Sequence, residues 1–289
     1  MGRIIRAISA DASVVASAID GRDIISEIER IHKTSAVVTA ALGRLTLAAS
    51  LLGFGLKGKD DSLTLRINGN GPTGSLIAVS DSYGNVKSYV ANSVVEIPLN
   101  KNGKLDVAGA VGTAGTLSVV KDLGLKEPYV GQVPIISGEI AEDITNYLAT
   151  SEQVPSVCAL GVLVNPDLTV NQAGGFLIQV LPFASDETIN IIEKNVNSLQ
   201  SVTQMLSNDI SIEDIALRVL KGLEPNVLDD FPVEYKCDCS KERVEAALIS
   251  IGKKDLEEMS HDEKTEVQCH FCGELYSFTK DEIISLIKN

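Results

Sequence analysis

Residues 236–240 read KCDCS and residues 268–272 read QCHFC. The chain has 5 cysteines, and these stretches hold four of them: Cys237, Cys239, Cys269 and Cys272. Zn2+ takes four soft ligands in a tetrahedron, and two short-spaced cysteine pairs brought together by folding supply that geometry. The C-x-x-C half, followed by Gly273, matches an ordinary zinc knuckle. The C-x-C half is less usual and forces both sulfurs to one side of a short turn. The spacing predicts one Zn2+ per chain, bound by Cys237, Cys239, Cys269 and Cys272.

The surrounding region, 231–289, is too short to make a stable core comfortably without a staple. It reads as a helix over 241–251 and a closing helix after Thr279, which forms a capping-box pattern with Glu282. From the residues alone, two roles for the metal stay open. One is a static staple. The other is a redox switch, because a disulfide closed within C-x-C is strained, and strained disulfides are labile and often regulatory. Structural zinc contributes on the order of 10–16 kcal/mol of folding energy in small zinc peptides, so loss of the thiolates removes most of what holds such a domain.

Ahead of it lies a helical segment, 181–230. Ser185 caps a helix with Ile189, Ile192, Val196 and Leu199 at helical spacing. Ser211 and Asp214 begin a second helix, and Gly222 stops it. Short amphipathic helices of this kind are marginal alone and depend on packing. The prolines of LEPNVLDDFP (223–232) suit a boundary.

Residues 1–180 mix strand and helix. RIIRAISA and SVVASAI read as strands around an Asp turn, followed by helices over 22–33 and 35–52. SLTLRIN, SLIAVSD and NVKSYVAN alternate as strands, EIAEDITNYLATSE reads as a helix, and VCALGVLVN and GGFLIQVLP return to the sheet. Helices in one block and strands in another predict an α+β fold with an antiparallel sheet.

The formal net charge is -14. Residues 181–230 carry 9 acidic against 3 basic side chains and residues 231–289 carry 13 against 8. Such a surface repels nucleic acid and anionic membrane, which need clustered Lys and Arg. The apolar run at 35–56 contains Arg44 near its middle, which costs roughly 2.5–3.5 kcal/mol at a bilayer centre, so a buried helix is expected. The N-terminus shows no signal-peptide pattern. A reducing cytoplasm is the expected compartment, where clustered cysteines serve as metal ligands or redox switches.

Other motifs carry less. GNGPTG (69–74) fits G-x-G-x-x-G literally, yet Pro72 and the following strand describe a hairpin turn, not a dinucleotide site. His270 reads as a bystander to the cysteines, His261 and His32 as isolated, and Cys158 as a small buried hydrophobe. No nucleophile motif supports catalysis, so a non-enzyme is expected.

The chain resembles the redox-regulated 33-kDa heat-shock chaperone family of the bacterial cytosol. The resemblance runs through GNGPTGSLIAVSD, YVANS, PLNKNGKLDVAGAVG, KDLGLKEPYVGQVPIISGEIAEDITNYLATSEQ, AGGFLIQVLP, KCDCS and VQCHFCGELYSF. It implies an N-terminal domain (1–180), a helical linker (181–230) and a C-terminal zinc switch (231–289). It further implies that oxidation joins Cys237 to Cys239 and Cys269 to Cys272, releases zinc and unfolds the linker. The oxidised protein would then hold unfolding client proteins without ATP, commonly as a homodimer, under oxidative stress. The family assigns no role to Cys158. The competing readings are a zinc-ribbon adaptor or nucleic-acid-binding regulator, which the acidic C-terminal region disfavours, and a zinc or thiol oxidoreductase, which needs an open metal position or an exposed low-pKa thiol.

Overall fold

A computed structural model describes residues 1–287, so the final two residues of the expected last region lie outside the described residues. The chain divides into two compact units, Met1–Tyr235 and Lys236 onward.

The first unit opens with β1 (Gly2–Ile8) and β2 (Val14–Asp20), joined by a turn in which Asp11 accepts hydrogen bonds from the Ser9 and Ser13 hydroxyls and the Ser13 amide. Helix α1 (Arg22–His32) follows and buries Ile24, Ile25 and Ile28 on one face, the outcome of apolar residues at helical spacing. Helix α2 (Ala36–Gly53) is apolar all round and buried nearly all round. It is long and apolar enough to cross a membrane, but 83% of it is buried inside the protein. Its Arg44 pairs with Glu139 at 2.5 Å, which gives the one charged residue of this helix a partner.

Strands β3 (Ser62–Asn68), β4 (Leu76–Asp81) and β5 (Val86–Val90) alternate buried and outward residues. After the short α3 (Val107–Val111) come β6 (Thr116–Asp122) and β7 (Tyr129–Pro134), and these five strands form one antiparallel sheet in the order β5-β4-β3-β6-β7. GNGPTG is the β3–β4 hairpin connection, as its Pro and flanking strands predict. Its glycines serve packing: a Cβ on Gly71 would lie 2.4 Å from the carbonyl oxygen of Ala110.

Helix α4 (Ala141–Thr150) leads to β8 (Ser156–Val164) and β9 (Val170–Val180). These return to β1 and β2 and not to the β3–β7 sheet, so the unit contains two five-stranded sheets where the sequence suggested one. Helix α2 packs against both, and the main core lies around it.

Helices α5 (Asp186–Ser198), α6 (Val202–Ser207) and α7 (Ile212–Val219) have N-caps at Ser185, Ser201 and Ser211. They bury Ile192, Val202, Met205, Leu206, Ile212, Ile215 and Val219 against Ile5, Val14, Ala16, Phe176 and Ile178 of the first sheet. The stretch LEPNVLDDFP carries β10 (Asn226–Val233), which pairs antiparallel with β1 and completes the sheet order β10-β1-β2-β9-β8. Beyond it, the Glu234 carbonyl accepts from the Val86 amide at 3.0 Å, and the Tyr235 hydroxyl donates to the Ser88 carbonyl at 3.0 Å.

The second unit contains α8 (Lys241–Ile251), α9 (Lys253–Met259), β11 (Lys264–Gln268), β12 (Leu275–Thr279) and α10 (Lys280–Ile287). Strands β11 and β12 form a two-stranded antiparallel hairpin. The α10 capping box is formed: Thr279 donates its amide to the Glu282 carboxylate at 2.7 Å, and the Glu282 amide donates to the Thr279 hydroxyl at 3.3 Å. The buried core is small, comprising Leu248, Leu256, Phe278, Ile283 and Leu286. The fold class is α+β, with antiparallel sheets throughout.

Candidate metal centre

Two local structures present the cysteines. Cys237 and Cys239 lie in the extended run before α8, whose N-cap Ser240 accepts from the Arg243 amide at 3.3 Å. The Arg243 side chain folds back onto Asp238, between the two cysteines. Cys269 and Cys272 occupy the β11–β12 connection. There the Cys269 amide donates to the Glu274 carbonyl and the Gly273 amide to the Cys269 carbonyl, both at 2.8 Å. Gly273 has φ +78°, a left-handed conformation that glycine adopts at little cost and that turns the chain back after Cys272.

The sulfurs of Cys237, Cys239, Cys269 and Cys272 lie within 4.8 Å of one another. Cys237 Sγ is 3.7 Å from Cys269 Sγ, and Cys239 Sγ is 3.3 Å from Cys272 Sγ. A tetrahedral ion with metal–sulfur bonds of about 2.3 Å has sulfur–sulfur edges of about 3.8 Å, so the cluster fits a tetrahedral thiolate-bound ion. The set includes neither His270 nor His261. The set does not include Cys158 either, which belongs to β8 of the first unit, where burial pushes its thiol up to about 12.

The sulfurs differ electrostatically. Burial pushes Cys237 up to about 11 and raises Cys272 as well. Burial also opposes ionisation of Cys239, but a hydrogen bond from the Tyr276 hydroxyl at 3.1 Å, with the neighbouring thiols, brings it below the ordinary thiol value. Spacing reveals the cysteines but not Tyr276. It stands 37 residues from Cys239 and meets it only through the hairpin fold.

Comparison with known proteins covers nearly the whole chain. The Hsp33 protein family matches residues 2–279. The chain belongs to the Hsp33 family. Among Hsp33 relatives, it is 50% identical over 286 residues to the 33 kDa chaperonin of Clostridioides difficile, spanning 99% of this chain and 98% of that one. It is 46% identical over 287 residues to the 33 kDa chaperonin of Bacillus subtilis, covering 99% and 98%. The crystal structure of the Thermotoga maritima Hsp33 homologue superposes with a TM-score of 0.90 at 40% identity, over 99% of this chain and 97% of the other. The Hsp33 family is a chaperone family, so the function is that of a chaperone and the partners are client proteins. The four clustered cysteines form a candidate metal site.

Proposed function

We propose that this chaperone is a redox-regulated, ATP-independent holdase of the bacterial cytoplasm, without enzymatic turnover. In the reduced state Cys237, Cys239, Cys269 and Cys272 hold one Zn2+ as thiolates. When bound, the ion supplies a fourfold crosslink between the stretch before α8 and the β11–β12 hairpin. The observation that carries this reading is the approach of the four sulfurs to within 4.8 Å in a unit whose own core is so small.

Oxidation joins Cys237 to Cys239 and Cys269 to Cys272. Each pair of thiolates gives up two electrons to one hydrogen peroxide molecule, which takes up two protons from solvent and leaves as two waters, while a sulfur–sulfur bond forms and the pair lets go of the ion. Disulfides no longer ligate, the crosslink is lost, and the second unit unfolds. Cys237 follows β10 closely in the chain, so this unfolding loosens the 181–230 linker, whose helices then leave the first sheet. The apolar residues they cover, and the apolar faces of the helices themselves, become available to unfolding clients. The oxidised chaperone acts as a homodimer under oxidative stress, with no nucleic-acid or membrane partner.

The test is light scattering from a thermally unfolding client, with reduced and peroxide-treated protein side by side. Suppression by the oxidised form alone is expected, and equal behaviour of the two forms excludes the switch. Metal analysis should find one zinc per reduced chain, lost in Cys→Ser variants of the four ligands and kept in Cys158→Ser.

A further inference from the structure

Tyr276 stands in β12, opposite Val267 of β11, with its ring partly buried against the small core of the second unit. Phenylalanine would serve that packing equally well. The hydroxyl is what differs, and it donates to Cys239 Sγ at 3.1 Å. The contact is not local. The hairpin that carries Tyr276 also carries Cys269 and Cys272, whereas Cys239 belongs to the other half of the cluster. The hydroxyl therefore ties one cysteine pair to the other by a route that does not pass through a metal.

Sulfur accepts a hydrogen bond well only when it carries negative charge, so this contact is strongest in the thiolate state that binds a cation. Groups that hydrogen-bond to metal ligands fix their orientation and contribute to retention of the ion. The same donation withdraws charge from the sulfur and makes it a weaker nucleophile. We propose that Tyr276 is a positioning residue of the cysteine centre: its hydroxyl fixes Cys239 within the cluster, strengthens metal retention and slows attack by Cys239 on electrophiles. This inference rests on the metal-binding reading of the four cysteines.

The test uses full-length reduced protein incubated with equimolar Zn2+, so that each cysteine of the centre is held as a thiolate in both proteins, and Tyr276→Phe, which deletes only the hydroxyl. Zinc affinity is measured by competition with a chromophoric chelator, and alkylation by iodoacetamide is followed at each cysteine by mass spectrometry. In alkylation the sulfur–carbon bond forms and iodide leaves. The variant should bind zinc about 10-fold more weakly and alkylate at Cys239 about 10-fold faster, with Cys269 little changed. With Co2+ in place of zinc, the sulfur-to-metal charge-transfer band should move to lower energy while the tetrahedral ligand-field bands persist. A variant indistinguishable from wild type in affinity, Cys239 alkylation and Co2+ spectrum overturns the proposal. A uniform acceleration at all four cysteines also overturns it, since that marks general loosening. Wild-type protein that binds no metal overturns the metal-site reading itself, an outcome distinct from both.

Discussion

Arg3 of β1 clamps Asp230 of β10 through two hydrogen bonds, Nε to Oδ1 at 2.8 Å and Nη2 to Oδ2 at 2.7 Å. Three residues further along β1, Arg6 Nε donates to Asp229 at 2.6 Å, and its guanidinium lies 5.1 Å from the Phe54 ring centroid. Phe54 in turn meets Phe231 edge to face. The edge strand leading to the cysteines is thus held by its side chains as well as by its ladder.

The Arg3–Asp230 pair is half-exposed, so its coupling should be modest, up to about 1 kcal/mol. A double-mutant cycle with Arg3→Ala and Asp230→Ala, read by urea unfolding, measures it. The Arg3 hydrogen bonds hold the Asp230 carboxyl below its usual range. Its stabilising contribution is therefore complete above a pH of about 3.9 and is lost as pH falls below that. In Asp230→Asn, that part of the acid sensitivity should disappear.

His32 gives a pH effect nearer neutrality. Its Nε2 donates to the Ser88 carbonyl at 3.0 Å, and burial lowers its pKa while that hydrogen bond opposes the shift. A depressed imidazole means that the unfolded chain binds the proton more readily. Stability should be full above about pH 6.5, fall as pH drops through that value, and level off below the folded-state pKa. Unfolding midpoints for wild type and His32→Gln between pH 7.5 and pH 5 check this, at about two pH values per unit. The wild type should lose more stability across the range than the variant.

Gly112 has φ +80°, and a Cβ there would lie 2.2 Å from the Gly69 carbonyl oxygen and 2.5 Å from the Gly71 nitrogen. Both obstacles are backbone and cannot swing away. Gly112→Ala should cost at least about 2 kcal/mol in urea unfolding, from conformation and clash together. Gly103 is the control: its φ is +69°, but a Cβ would meet nothing within 4 Å, so Gly103→Ala should cost only about 1 kcal/mol.

These glycines also mark how far the sequence could be read. Where burial follows a strict period, as in Leu63, Leu65 and Ile67 or in Ile24, Ile25 and Ile28, strand and helix are legible residue by residue. Strand β10 is not, because NVLDDFPV has two aspartates and a proline, and the ladder and arginine partners that hold it come from β1, more than two hundred residues away. Strand β7, with Gly131 and Pro134, is obscured likewise, and β11 is too polar to announce itself. The division into two sheets depends on which strands pair, and local periodicity does not encode that. In the cysteine centre, the candidate ligands are legible because metal chemistry demands a spacing. Tyr276 is hidden because a hydrogen bond demands only a meeting in space.

The segment 181–230 offers the sharpest test of the proposed switch. Ile215 of α7 is 1% exposed and packs in the cluster with Ile5, Ala16 and Ile178 of the sheet beneath. Truncating it removes buried methyl groups and leaves a cavity, a change that costs about 2–5 kcal/mol in well-packed cores. Because α5, α6 and α7 are short and share one apolar cluster, the loss should fall on their docking and not on α2 and its surroundings. In Ile215→Ala, hydrogen exchange across 186–219 should quicken while α2 stays protected. If the covered sheet face and the helix faces receive clients, the same variant should suppress client light scattering while still reduced, at a level between the reduced and oxidised wild type. Ile249→Ala is the comparison, since Ile249 is 43% exposed and its truncation should change neither measurement. Fast exchange in the linker with no gain in client holding would show that undocking alone does not create the binding surface, and that the oxidised second unit must supply part of it.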